Sequence, residues 1–176
     1  MNILAIDLGK SCTGFAVLQD ETFVFASSES YSGYPSPGDM YRELYNDIDC
    51  IHTDTPIDLI AVEFPAAIAT KSAKVAAIQF GMLAIVEKFA ADSDIGYLIY
   101  NPTETQSYTR GLTKDMDIGI DFGVKDSKVP SCELYYSIFD EAPDSHDVAD
   151  AVALAVFAAA EQDIDVTDLD TVQRAA

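Results

Sequence analysis

Basic residues are scarce in this chain. Ten Lys and Arg stand against thirty Asp and Glu, a formal net charge of -20 over 176 residues. Most nucleic-acid binders are basic, because phosphate contacts dominate their affinity. A chain this acidic can meet a polyanion only through a local basic face or through bridging divalent cations. Cysteine is also sparse. Cys12, Cys50 and Cys132 are odd in number, far apart and form no Cys-x-x-Cys pair, which argues against a disulfide framework or a zinc site and for a reducing cytoplasm. No apolar run is long and charge-free enough to span a bilayer. The N-terminus carries no basic stretch followed by an apolar run and a cleavage site, so neither a signal peptide nor a membrane partner is expected.

What is present is core. A hydrophobic share of 49% supports one packed domain at this length, expected over residues 1–160, with 161–176 an acidic tail that is disordered or a short helix. Ile3 to Gly9 opens the chain as a strand buried on both faces. Thr13 to Gln19 and Thr22 to Ser28 read as two more strands joined by a hairpin-sized link. A helix is expected from Asp39 to Ile51, where Met40, Leu44, Ile48 and Ile51 form an apolar stripe. A strand from Ile57 to Glu63 follows, then a helix from Thr70 to Ala90, then a strand from Ile95 to Tyr100. Asn101-Pro102-Thr103 starts a short helix. Ser127 or Ser131 is expected to cap a helix through Phe139, and a last helix spans Ser145 to Ala160. Three strands followed by strand–helix crossovers predict an α/β fold. Its mixed five-stranded sheet combines a three-strand antiparallel meander and two parallel strands, with helices on both faces.

The acids fall at particular places on this order. The first strand runs into Asp7, and Ile57-Asp58-Leu59-Ile60-Ala61-Val62 runs into Glu63. The last helix, apolar almost throughout, carries Asp147 and Asp150 in its first turns, and residues three apart on a helix share a face. Each acid alone has a plainer reading: Asp7 and Glu63 as strand-end acids bonded to nearby backbone, Asp147 as favourable charge at a helix N-terminus. Asp150 is harder to explain so, because apolar residues flank it. Together the four predict an oxygen-only site of the kind that suits Mg²⁺ or Mn²⁺.

With these acids placed, the chain resembles the RuvC-type Holliday-junction resolvases of the ribonuclease H-like superfamily, as a viral or otherwise divergent member. The carrying motifs are Ile3-Leu4-Ala5-Ile6-Asp7-Leu8-Gly9 with Thr13-Gly14-Phe15-Ala16-Val17, then Asp58-Leu59-Ile60-Ala61-Val62-Glu63, Gln79-Phe80-Gly81, and Asp147-Val148-Ala149-Asp150-Ala151-Val152-Ala153-Leu154-Ala155. The resemblance implies a ribonuclease H-like fold and Asp7, Glu63, Asp147 and Asp150 as catalytic metal ligands. It also implies two Mg²⁺ or Mn²⁺ ions per site, with Asp7 bridging them. It further implies a homodimer, supported by the helix from Thr70 to Ala90, that nicks four-way or branched DNA to leave 5′-phosphate and 3′-hydroxyl ends. The chain departs from the family pattern at two places. Gln106 stands where the family often has a lysine, a role open here to Lys114, Lys125 or Lys128. Ala66 stands where the family often has an aromatic wedge, and Phe64 is close by.

Seven basic residues, Lys10, Lys71, Lys74, Arg110, Lys114, Lys125 and Lys128, lie in segments after strand ends or before the last helix. They are read with Phe64 as candidate substrate contacts, against the bland reading of lysines in solvated loops. His146 lies four residues before Asp150 and either faces the metals or sits on the surface. Three other functions stay open: a related nuclease acting on RNA or flaps, an actin- or sugar-kinase-like ATPase, and a non-catalytic junction-binding scaffold. The ATPase needs two such lobes, and its expected motifs leave Glu63, Asp147 and Asp150 without a role.

Overall fold

A computed structural model describes residues 1–9, 11–65, 72–116 and 118–164, together with the backbone of 173–174. The strands are β1 (Asn2–Asp7), β2 (Thr13–Gln19), β3 (Thr22–Glu29), β4 (Leu59–Glu63), β5 (Gly96–Tyr100) and β6 (Gln173–Arg174). The helices are α1 (Pro37–Asp54), α2 (Ala73–Asp92), α3 (Pro102–Thr113), α4 (Val129–Phe139) and α5 (His146–Glu161). The sheet order is β5-β4-β1-β2-β3-β6. β1, β2 and β3 pair antiparallel in sequence, while β4 pairs parallel to β1 and β5 parallel to β4. The expected mixed sheet, an antiparallel meander with two parallel strands, is therefore present, with β6 added at one edge.

Strand periodicity divides the core in two. Successive side chains point to opposite faces. Ile3, Ala5, Leu59 and Ala61 pack with α4 and α5, while Leu4, Ile6, Ile60 and Val62 pack with α1 and α2. The phase of this alternation decides the function-bearing face. Asp7 continues the Ile3–Ala5 series, and Glu63 continues Leu59–Ala61. Both acids thus fall on the face that α5 covers.

Helix starts follow local capping chemistry, in which a side-chain oxygen accepts an otherwise unpaired N–H of the first turn. Ser36, Ser72, Asn101 and Ser145 cap α1, α2, α3 and α5. α4 is the exception: Lys128 precedes it and offers no side-chain cap. Neither Ser127 nor Ser131 plays the expected role, since Ser131 lies inside the helix and is buried. The helix expected from Thr70 begins at Ala73, and Thr70 itself lies outside the described residues.

The tail differs from expectation, and the sheet has one exposed apolar edge. β5 is the sheet edge, and its Leu98 and Ile99 are exposed, the latter at 44%; an apolar strand need not be covered. Within the tail, β6 adds a two-residue parallel pairing with β3, whereas 165–172 and 175–176 lie outside the described residues. Among the described residues, no helix is long and apolar enough to cross a membrane.

Candidate active site

The site forms where β1 and β4 end beneath the start of α5. In the parallel register Ile6 faces Val62, so one residue further Asp7 stands beside Glu63. Across the antiparallel pair, Asp7 faces Gly14. A Cβ on Gly14 would fall 1.9 Å from the Asp147 carbonyl oxygen. The missing side chain is what lets α5 descend onto β2 and bring its first turn over Asp7. The Ser145 cap is itself tied to β3 by a 3.2 Å hydroxyl contact with Ser28. Around Asp7, the exit turn is held by Thr13 Oγ1 donating to the Gly9 carbonyl at 3.0 Å. Gln79 of α2 donates to the Leu8 carbonyl at 2.8 Å.

A cavity of about 200 Å³ opens here, lined among others by Asp7, Glu63, Asp147, Gln106 and Lys128. Asp150 lies just behind, beside Glu63 and Lys128, with its side chain only 11% exposed. Lys128 Nζ donates to Asp150 Oδ2. Asp150, Glu63 and Asp147 all act on Asp7, and its carboxyl records it. Burial pushes its pKa well above the usual range, and the charges of Asp150, Glu63 and Asp147 add to this against the opposing pull of Lys128. Burial, then the Asp150 charge, raises Glu63 to about 7. The buried Thr105 hydroxyl makes no hydrogen bond of normal geometry, yet lies near enough to favour the Glu63 carboxylate. For Lys128, burial works to lower the pKa but is outweighed by Asp150, Asp7 and Glu63, so the ammonium is stabilised.

Several carboxylates crowded with one ammonium are short of positive charge. An all-carboxylate donor set fits hard divalent cations, and Asp7, Glu63, Asp147 and Asp150 are the residues that would hold them. As the side chains stand, no three acidic, His or Cys side chains among the described residues surround a common point, so ion binding requires the carboxylates to turn inward.

The raised carboxyl pKa values make a prediction for the metal-free chain. Unfolded Glu63 titrates near 4.5 and folded Glu63 near 7, so between these values the folded state keeps a proton the unfolded state has lost. Stability is full below the lower value and falls as pH rises through the upper one, by up to about 3 kcal/mol from this residue; Asp7 contributes with the same sign. In EDTA, thermal melts are expected to drop between about pH 5 and about pH 8, with a shallower drop in Glu63→Gln. A melting temperature that rises over this range contradicts the assignment.

Lys128 is the basic residue that enters the site among those described. Lys74, Arg110, Lys114 and Lys125 are exposed, and Lys10 and Lys71 lie outside the described residues, as does Ala66. Phe64 is 47% exposed at the cavity rim and packs edge-on against Phe80, with centroids 5.6 Å apart. His146 is 48% exposed, its Nε2 3.7 Å from Asp147 Oδ1, and it borders a separate hollow lined by Ile120, Phe122 and Cys132. The structure thus favours its surface reading, and His146→Ala is expected to keep cleavage within about threefold of wild type. A hundredfold loss in a gel-based nicking assay would place the ring in the reaction instead. Reading the sequence missed two supporting residues. Gly14 carried a signal, since glycine inside a strand often marks close backbone approach. Thr105 carried none, lying in a polar helix far in sequence from the four candidate acids.

No family model matches the chain, and no curated protein sequence matches it. Solved structures do. Thermus thermophilus RuvC in complex with a Holliday junction substrate superposes with a TM-score of 0.72 at 15% identity, covering 94% of this chain and 97% of that one. The yeast mitochondrial Holliday junction resolvase Ydc2 gives 0.56 at 14% identity, over 87% and 75% of the two chains. Fowlpox virus resolvase, solved with Holliday junction DNA, gives 0.52 at 13%, over 90% and 99%. At these identities the likeness establishes architecture: the chain has the ribonuclease H-like fold of the RuvC-type resolvases.

Proposed function

We propose that this chain is a metal-dependent endonuclease that resolves four-way or branched DNA. The observation that carries the reading is that Asp7, Glu63 and Asp147, from three elements, line one cavity, with Asp150 in the adjoining pocket beside Glu63. The fold shared with junction resolvases narrows the substrate. Two Mg²⁺ or Mn²⁺ ions, when bound, would activate a water and stabilise the leaving oxygen of a phosphodiester. The chain's own part is to hold the four carboxylates in place, with Asp7 central because β1 is flanked on both sides by strands. Gln106, Lys128 and the exposed ring of Phe64 border the space left for DNA. Bound cations also lessen the repulsion that a charge of -20 imposes on a polyanion.

A four-way junction has twofold symmetry, so paired cuts need two sites, and a C2 homodimer supplies them. α2 is suited to such a contact: Ala77 and Ala84 are exposed on a helix whose Phe80 and Ile85 are only half-buried.

The test is incubation of the purified chain with an end-labelled synthetic junction, with and without Mg²⁺, beside linear duplex and an RNA–DNA hybrid. The expected result is Mg²⁺-dependent, symmetric nicking of the junction, with 5′-phosphate and 3′-hydroxyl ends. Preferential cutting of the hybrid would move the chain to another ribonuclease H-like activity. No cutting of any substrate by folded protein would end the nuclease reading.

A further inference from the structure

Lys128 stands at a position that capping does not explain. It precedes α4 in helical backbone geometry and gives that helix no side-chain cap. Its backbone N–H closes a turn onto the Lys125 carbonyl at 2.7 Å, which points the long side chain into the acid cluster. That side chain lines both the open cavity, with Asp7 and Asp147, and the enclosed pocket behind it, with Glu63 and Asp150. Its ammonium is paired with Asp150, and the side chain as a whole is 31% exposed. An oxygen of Asp150 is thus already committed to a cation.

We propose that Lys128 is a tethered counter-ion: it holds the carboxylates together in the metal-free chain and competes with the divalent cation for Asp150. This inference rests on the metal-site reading above. Asp150 is almost enclosed, so few water molecules can screen it, and some positive charge has to accompany it. With no ion bound, the lysine fills that need. A divalent ion brings twice the charge, and its entry turns the Asp150 oxygen away from Nζ. The displaced ammonium has the open cavity to move into, on the side bordered by Gln106. Metal binding is therefore an exchange of cations, and its affinity is lowered by whatever the lysine contact is worth.

The experiment is a Mn²⁺ titration of metal-free protein at low ionic strength, following free Mn²⁺ by electron paramagnetic resonance, for wild type, Lys128→Met, Lys128→Gln and Lys128→Arg. Removing the competing charge is expected to tighten Mn²⁺ binding about tenfold in the Met and Gln chains. The Arg chain is expected to stay within about threefold of wild type, since it keeps the charge. Without metal, the Met and Gln chains should melt below wild type, and saturating Mn²⁺ should close that gap. Two neutral replacements guard against one of them misfolding, which circular dichroism reports directly. Equal or weaker Mn²⁺ affinity in folded Met and Gln chains overturns the counter-ion role and leaves the metal site standing. Absence of Mn²⁺ binding in all four chains overturns the metal site itself.

Discussion

Asp7→Asn is expected to lower junction cleavage by about a thousandfold or more while leaving junction binding within a few-fold of wild type. The magnitude follows from what the carboxylate supplies. In the proposed site it would hold cations that activate water and stabilise a leaving oxygen, a role worth several kcal/mol, and each 1.36 kcal/mol is tenfold in rate. Asn keeps the shape and one oxygen but removes the charge, so the fold has no reason to move. A second readout separates charge from shape. Asp7 is buried among Asp150, Glu63 and Asp147, whose charges disfavour its own. Neutralising it relieves that repulsion, so the metal-free Asn chain should melt at or above wild type at alkaline pH, where the carboxylates are charged. A variant that loses activity and also stability at that pH has been damaged structurally, and the loss says little about metals. A variant that cuts at the wild-type rate shows that Asp7 takes no part.

The same residue shows how much of this site the sequence carried. Asp7 and Glu63 were legible because strand alternation is local: once Ile3 and Ala5 face the helices, so does Asp7, and Leu59 and Ala61 set Glu63 likewise. Asp147 and Asp150 were legible because a helix that is apolar almost everywhere leaves few explanations for Asp150. The choice among lysines was not legible. Lys114, Lys125 and Lys128 lie within fifteen residues of one another in a segment of turns, and which one reaches Asp150 depends on where α4 starts. That start lacks the serine cap that local chemistry suggested, so there was no anchor from which to count. The exposure of Ile99 was hidden for a related reason. Apolar content predicts a strand, whereas coverage depends on which neighbour lies beside it, and β5 has a strand partner on one side only.

Gly14→Ala tests the approach that makes the site. Gly14 needs no unusual backbone, since positive φ among the described glycines occurs at Gly119 and Gly123. Its role is one of space. The added Cβ would stand 1.9 Å from the Asp147 carbonyl oxygen, 2.4 Å from its carbon and 3.0 Å from the Val148 nitrogen. All three are backbone atoms in the first turn of a buried helix, so no side chain can swing aside. The turn has to lift, or β2 has to bend. Overpacking of this kind costs about 1–3 kcal/mol and sometimes more, and a contact this close with rigid backbone belongs at the upper end. The lift also separates Asp147 and Asp150 from Asp7 and Glu63. A displacement of about 1 Å can cost a hundredfold in rate, so cleavage should fall by that order even in the folded fraction. Mn²⁺ affinity should fall with it, although no side chain of the proposed metal site has been changed. Gly111→Ala is the matching control. It lies in α3 with open space around its Cβ position, where alanine is favoured over glycine by about 1 kcal/mol. Its melting temperature should rise and its activity stay unchanged. If Gly14→Ala melts and cuts like wild type, then α5 reaches the acids by some route other than its close seat on β2.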